Sequence, residues 1–163
     1  MPNWVEGKLK IRGDKKNIKR FLKDTLVEIE YKDFKKFPEI TNVKVREVDK
    51  EDFEIQRTSY KHRLKFTGER HYITDNIIHS FSCLESITGK DILVVGFEAA
   101  TIINPIHFEG ASIEYDLDFK IYGFEQGGEF NQDIEVVNGK IVKDELIEFD
   151  DYIWECIDPT IGG

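Results

Sequence analysis

Hydrophobic and polar side chains take turns along much of this chain. Ile113, Tyr115, Leu117, Phe119 and Ile121 alternate with Glu114, Asp116, Asp118, Lys120 and Tyr122. That is the period of two of a strand with one dry face and one wet face. After Gly127-Gly128 the alternation resumes, with Phe130, Gln132, Ile134 and Val136 set against Glu129, Asn131, Asp133 and Glu135. Asn138-Gly139 then supplies a two-residue hairpin turn, in which both central residues need positive φ. A third strand follows from Lys140. The stretch from Ser112 to Phe149 therefore predicts three consecutive antiparallel strands.

The N-terminal segment predicts a strand over Trp4 to Arg12, ended by Gly13-Asp14. Asp14 is placed as the N-cap of a helix, its carboxylate available to orphan amides. Ile18, Phe21, Leu22, Thr25 and Leu26 fall on one face of that helix. Lys15, Lys16, Lys19, Arg20 and Lys23 cover the other. Residues 28–54 read as an irregular insertion. Phe34 to Pro38 breaks any pattern there, and Val43, Val45 and Val48 mark a short strand. Strand character returns over Ile55 to Tyr60 and over His62, Leu64 and Phe66. A bulge at Gly68 would separate the latter from His71, Tyr72 and Ile73.

Ile77, His79, Phe81 and Cys83 alternate again. Ile92 to Phe97 is a continuous apolar run, as in a central strand covered on both faces. Asn104-Pro105 opens a short helix ending near Gly110, with Ile102, Ile103, Ile106, His107 and Gly110 inward. The tail from Tyr152 packs on the sheet and frays at Gly162-Gly163. This order predicts one α+β domain over residues 1–163. Its sheet is mainly antiparallel, with two helices on one face in a ferredoxin-like, split βαβ arrangement.

Composition bounds the function. With 163 residues, 40% of them hydrophobic and 12% aromatic, the chain can close a core without staples. The net charge of -9 disfavours nucleic acid and anionic membrane as partners. Basic residues crowd the segment from Lys8 to Lys23, and the region after Asp91 is acidic, so the molecule is electrically polar. Cys83 and Cys156 lie far apart in a non-metal spacing and read as free thiols. Charged residues begin at Glu6, and no apolar run approaches the ~20 residues of a membrane span. A cytoplasmic protein without signal peptide or membrane contact is expected.

Pro2-Asn3-Trp4, followed by a strand, Gly13-Asp14 and a helix, resembles the start of the YubB-type ferredoxin-like proteins of phages and plasmids. The run from Phe119 to Glu125 resembles the C-terminal half of that group. So do Gly128, the run from Phe130 to Glu135, and Asn138 to Ile141. Gly96 to Ala100 fits as well, without the Trp the group carries near Ala100. The similar parts cover roughly half of the chain. The resemblance implies a ferredoxin-like fold and a mobile-element origin, and brings no catalytic residues with it.

Four histidines (His62, His71, His79, His107) show neither an i, i+4 pair nor an HxH spacing, so no metal site is assigned. Glu125, Glu129, Asp133 and Glu135 offer paired carboxylates, but Glu129, Asp133 and Glu135 share the wet face of one strand, with nothing apolar to raise a pKa. Gly127-Gly128 lacks the pattern of a phosphate loop. Gln132 falls on the inward phase, where its amide needs partners, for which the Gly127-Gly128 backbone is the candidate. Asn131 sits beside it, with Phe124 and Phe130 as aromatic neighbours. Asn3, Trp4, Tyr122, Phe124, Glu125, Phe130, Asn131 and Gln132 form the candidate binding set. No catalytic residue and no cofactor is assigned.

These readings predict a small non-enzymatic accessory or binding protein of a phage or other mobile element. It would work through a protein partner and form a homodimer through a sheet edge. Two alternatives carry different chemistry. One is an acidic protein that imitates nucleic acid and inhibits a host DNA-binding protein. The other is a carboxylate- and histidine-dependent hydrolase.

Overall fold

In the computed structural model, which describes residues 3–32, 37–58 and 61–163, the N-terminal alternation forms strand β1 (Trp4–Gly13). Helix α1 (Lys15–Thr25) follows at once and buries Ile18, Phe21, Leu22 and Thr25. Asp14 caps it with its backbone carbonyl, which accepts from Asn17 N–H and Ile18 N–H. Its carboxylate turns instead to Lys90 Nζ at 3.1 Å. Without a break the chain enters β2 (Leu26–Glu30).

Short strands then succeed one another: β3 (Glu39–Asn42), β4 (Val45–Glu47), β5 (Phe53–Gln56), β6 (Lys61–Leu64), β7 (His71–Ile73), β8 (Ile77–His79) and β9 (Leu84–Glu85). The long strand β10 (Asp91–Ala100) leads to α2 (Ile106–Tyr115), where Asn104 Oδ1 accepts from Ile106 N–H. The meander β11 (Asp118–Glu125), β12 (Phe130–Val137) and β13 (Lys140–Glu148) precedes a last short helix, α3 (Tyr152–Glu155).

These strands build a ten-stranded sheet in the order β13-β12-β11-β1-β10-β7-β6-β2-β3, with β9 also on β10. Every pairing is antiparallel. A second sheet, β4-β5-β8, has three strands. One hydrophobic cluster runs through both sheets and the first two helices. Its centre is aromatic: the Phe21 ring lies 5.6 Å from Phe66, 5.4 Å from Tyr115 and 5.2 Å from Phe119. Edge-on packing of this kind adds to the burial of each ring.

The ferredoxin-like arrangement with two helices on one face is overturned. The described residues hold three helices and a ten-stranded sheet. The segment after α1 supplies the added strands. β2 returns at the far side of the sheet, with β10, β7 and β6 between it and β1, so no split βαβ unit forms. In β3 every residue is exposed, which removes the alternation that would announce it. The helices also lie on both faces: α1 and α2 pack on the aromatic core, and α3 sits on the opposite, outer face.

Three local expectations also change. The first strand of the meander begins at Asp118, because Ile113 and Tyr115 belong to α2. Helical spacing places Phe108, Ala111, Ser112 and Tyr115 inward, and Asp116 ends the helix in the left-handed region at φ 53. Ile106 and Gly110 consequently face out. Gly68 is the left-handed end (φ 68) of a 3-10 turn over Lys65–Thr67, in the connection between β6 and β7, and makes no bulge. The part of the expected irregular insertion at residues 33–36, and the end of the strand expected at Tyr60, lie outside the described residues.

Candidate docking site

Asn131 faces outward from β12, opposite Phe124 of β11, yet its relative exposure is 0%. The chain after β13 covers it. Tyr152 donates its hydroxyl to Asn131 Oδ1 at 3.3 Å. The Asn131 amide donates to Tyr122 Oη at 3.3 Å and to Cys156 Sγ at 3.4 Å. One side-chain amide thus ties both ends of α3 to the sheet. Phe149 packs edge-on against Tyr152 at 5.3 Å. Burial pushes the Tyr152 hydroxyl well above the usual tyrosine range, with the Cys156 thiol adding to it.

Reciprocal capping makes α3 form despite its length. Asp151 Oδ1 accepts from Trp154 N–H at 3.3 Å, while Glu155 Oε2 accepts from Asp150 N–H at 3.1 Å and Asp151 N–H at 3.4 Å. These bonds satisfy amides that a short helix otherwise leaves open. Beyond it, Asp158 takes the Thr160 hydroxyl at 2.7 Å. The expected fraying does not occur: Gly163 N–H donates to the Trp4 carbonyl at 2.9 Å. Gly162, at φ 83, lies so close to the Phe124 and Trp4 carbonyls that any side chain there would strike them.

The tail therefore holds fixed positions while its apolar side chains point to solvent. Trp154 is 86% exposed, Ile153 63% and Ile157 89%. An open groove of ≈ 430 Å³ reaches the same short helix at Glu155 and is lined also by Gly128, Glu129, Glu148, Phe149 and Asp150. From Asp144 to the end of the sequence there is no lysine, arginine or histidine. The site is an exposed apolar knob on a hydrogen-bonded mount, in a field of carboxylates.

The eight residues singled out by the sequence divide into groups. Tyr122, Phe124 and Asn131 come together beneath the tail. Glu125 holds the Gly127-Gly128 turn, its buried carboxylate accepting from Gly127 N–H at 2.9 Å and from Gly128 N–H, and the Asn3 amide lies beside Gly127. Gln132 and Phe130 face the core side. Gln132 does not reach that turn. Its amide clamps Ile103, accepting from the N–H at 2.8 Å and donating to the carbonyl at 3.1 Å. Trp4 lies apart, in a ≈ 210 Å³ notch with Tyr31, Tyr72, Arg70 and Lys61, where Lys61 Nζ stands 5.0 Å over the indole and also bonds Glu98.

Sequence reasoning missed Ile153, Trp154 and Ile157 as exposed groups. The available signal was three large apolar residues in a stretch that holds acidic residues and no basic one. It was masked because a lone Trp near a chain end usually packs inward.

Each histidine stands near a glutamate. His62 lies 3.3 Å from Glu28 and His79 3.1 Å from Glu54. Glu69 stands 3.5 Å from His71 and 3.3 Å from His107. Burial lowers His71 to about 4. Among the described residues no group of three or more His, Cys, Asp or Glu side chains is arranged to hold a metal ion. Both cysteines are free, and burial pushes the Cys83 thiol up to about 11. Among the described residues, no helix is long and apolar enough to cross a membrane. Compared with protein-family models, curated proteins and solved structures, the chain matches none.

Proposed function

We propose that this chain is a non-catalytic binding protein that docks a basic protein surface on Trp154 and the carboxylates around it. One observation carries the reading. Trp154 is held on a capped, hydrogen-bonded mount, yet 86% of it meets solvent. A large aromatic group presented in a fixed position loses little entropy on binding, and buried tryptophans dominate interface energies. The carboxylates of Glu129, Glu148, Asp150 and Glu155 favour lysine or arginine side chains entering the groove. Such a surface also suits proteins that bind nucleic-acid phosphates, so an inhibitor of a DNA-binding protein is one form of this function. Asn131, Gln132 and Glu125 are engaged in holding the structure, which further favours binding over turnover.

Calorimetry with a peptide alternating arginine and leucine tests this, with its glutamate–leucine counterpart as control. Saturable, salt-weakened binding of the basic peptide alone is expected. Trp154→Ala should weaken it by about tenfold or more while leaving the thermal midpoint unchanged. Equal binding of both peptides, or an unaffected Trp154→Ala variant, would overturn the proposal.

Self-association through a sheet edge is the second reading. It is favoured by β13, which pairs only with β12 among the described residues and leaves its other edge open.

A further inference from the structure

Strand β13 is not a uniform edge. Val142 and Leu146 are 58% and 50% exposed. Between them stand Lys143, Asp144 and Glu145. The pairing with β12 fixes which way each points. Asp144 lies opposite Ile134 and Leu146 opposite Gln132, on the core side of the sheet; Lys143 and Glu145 lie opposite Glu135 and Asp133, on the outer side. The register shifts at Val142, between Ile141 opposite Val136 and Lys143 opposite Glu135; alternation with the outward Lys143 puts Val142 with Leu146 on the core side.

Helix α2 extends that apolar surface. Glu109 Oε1 accepts from Ile141 N–H and Ser112 Oγ from Gly139 N–H. The helix therefore lies along β13, and the Ile113 side chain packs on Gly139. Ile106 falls on the same side as Glu109 and Ile113, at helical spacing. Ile106 and Ile113 are both exposed.

We infer that two copies of the chain join through β13, antiparallel, about a two-fold axis at Asp144. The inference rests on the reading of a sheet edge as a self-association surface and assigns the edge and the register. Self-complementarity selects the second copy as the occupant. With the axis at Asp144, Lys143 of one copy faces Glu145 of the other, and the same contact recurs across the axis. Val142 meets Leu146 twice in the same way. Opposite charges and apolar pairs directly across an antiparallel ladder are favourable. Charges on an open edge normally guard it against unwanted pairing; here their order permits one partner in one register. Asp144 against its own copy is the single like-charged contact. A symmetric, isologous contact of this kind closes at two copies.

The mass in solution is measured first. At about 100 µM, a concentration suited to a modest interface, the chain should sediment at twice its 19.1 kDa. Lys143→Glu alone and Glu145→Lys alone should each weaken the dimer by about tenfold or more. Mixed together, the two variants should restore it, because each then offers the charges the other lacks. In a Cys83→Ser background, Asp144→Cys should form an intermolecular disulfide, since residues across such a ladder stand about 5 Å apart. Leu146→Cys should not, because it faces Val142 of the other copy. A chain that stays at 19.1 kDa overturns both the edge reading and the register. A dimer that cross-links through Leu146→Cys, or ignores both charge reversals, overturns the register alone.

Discussion

The hydroxyl of Tyr152 donates to the side-chain oxygen of Asn131 at 3.3 Å, joining the last helix to the outer face of the meander. The same asparagine serves Tyr122 and Cys156. Asn131→Ala removes all three bonds, leaving Tyr152 and Cys156 only each other, and should cost about 1–3 kcal/mol in urea unfolding. It should also expose the tail to limited proteolysis near Trp154. Tyr152→Phe, which loses one bond and keeps the ring, should cost about 1 kcal/mol. An Asn131→Ala variant with unchanged midpoint and unchanged tail protection would remove this mount.

Gln132 fixes the loop before α2. Its amide meets both backbone groups of Ile103, all of them buried. Gln132→Leu fills the same space but orphans a donor and an acceptor, so a loss of about 2–4 kcal/mol is expected. Gln132→Glu should do no better, because a carboxylate accepts from the Ile103 N–H and offers its carbonyl nothing. Chemical denaturation of the two variants checks the order.

Gly7 sits in the middle of β1, paired with Phe97 on one side and Gly123 on the other. A methyl group at Gly7 would run into the Tyr122 carbonyl oxygen and the Gly123 backbone, which no rotamer change relieves. Gly7→Ala should therefore cost about 3 kcal/mol or more and yield little soluble protein. A variant with a near-native thermal midpoint would contradict the close approach of β1 and β11.

The buried His71 makes stability depend on pH. Its ring packs on Phe97 and Phe108, with Glu69 and His107 facing it and Arg63 near by. The unfolded imidazole takes up a proton near pH 6.5, whereas burial lowers the folded one to about 4. Between those values the unfolded state holds more protons. Stability should thus fall as pH drops from 6.5 towards 4, by up to about 3 kcal/mol, and level off below. His62, also lowered mainly by burial, acts in the same direction. His71→Leu should flatten the dependence between pH 6.5 and 4 without abolishing it.

Much of the meander is legible in the sequence. Phe119, Ile121, Ile134 and Val136 point to the core as their alternation implies, and Asn138 and Gly139 take positive φ in the hairpin turn. The basic helix face and the apolar run of β10 are equally plain. Elsewhere two periods overlap. Ile113, Tyr115 and Leu117 extend a strand pattern backwards, while Phe108, Ala111, Ser112 and Tyr115 carry a helical one, and packing of Tyr115 on Phe21 decides for the helix.

Long-range pairing was less visible still. Nothing local in β2 says that it will pair with β6 and not beside β1. Asn131 illustrates the limit for the site. Its phase is outward, as its neighbours imply, but its burial depends on a tail that begins after another whole strand. The knob is legible only once that mount is known, because exposure of Ile153 and Ile157 is a tertiary property.

The place of β1 at the heart of the sheet governs how the polypeptide comes together. Both of its neighbours are remote in sequence, β10 starting at Asp91 and β11 at Asp118. A nascent chain carries β1 with two unsatisfied flanks until β10 and β11 have been made. Contacts this distant in sequence slow folding and leave adhesive strands uncovered meanwhile. A fragment ending before Asp91 should accordingly remain unstructured, however sound its local helix.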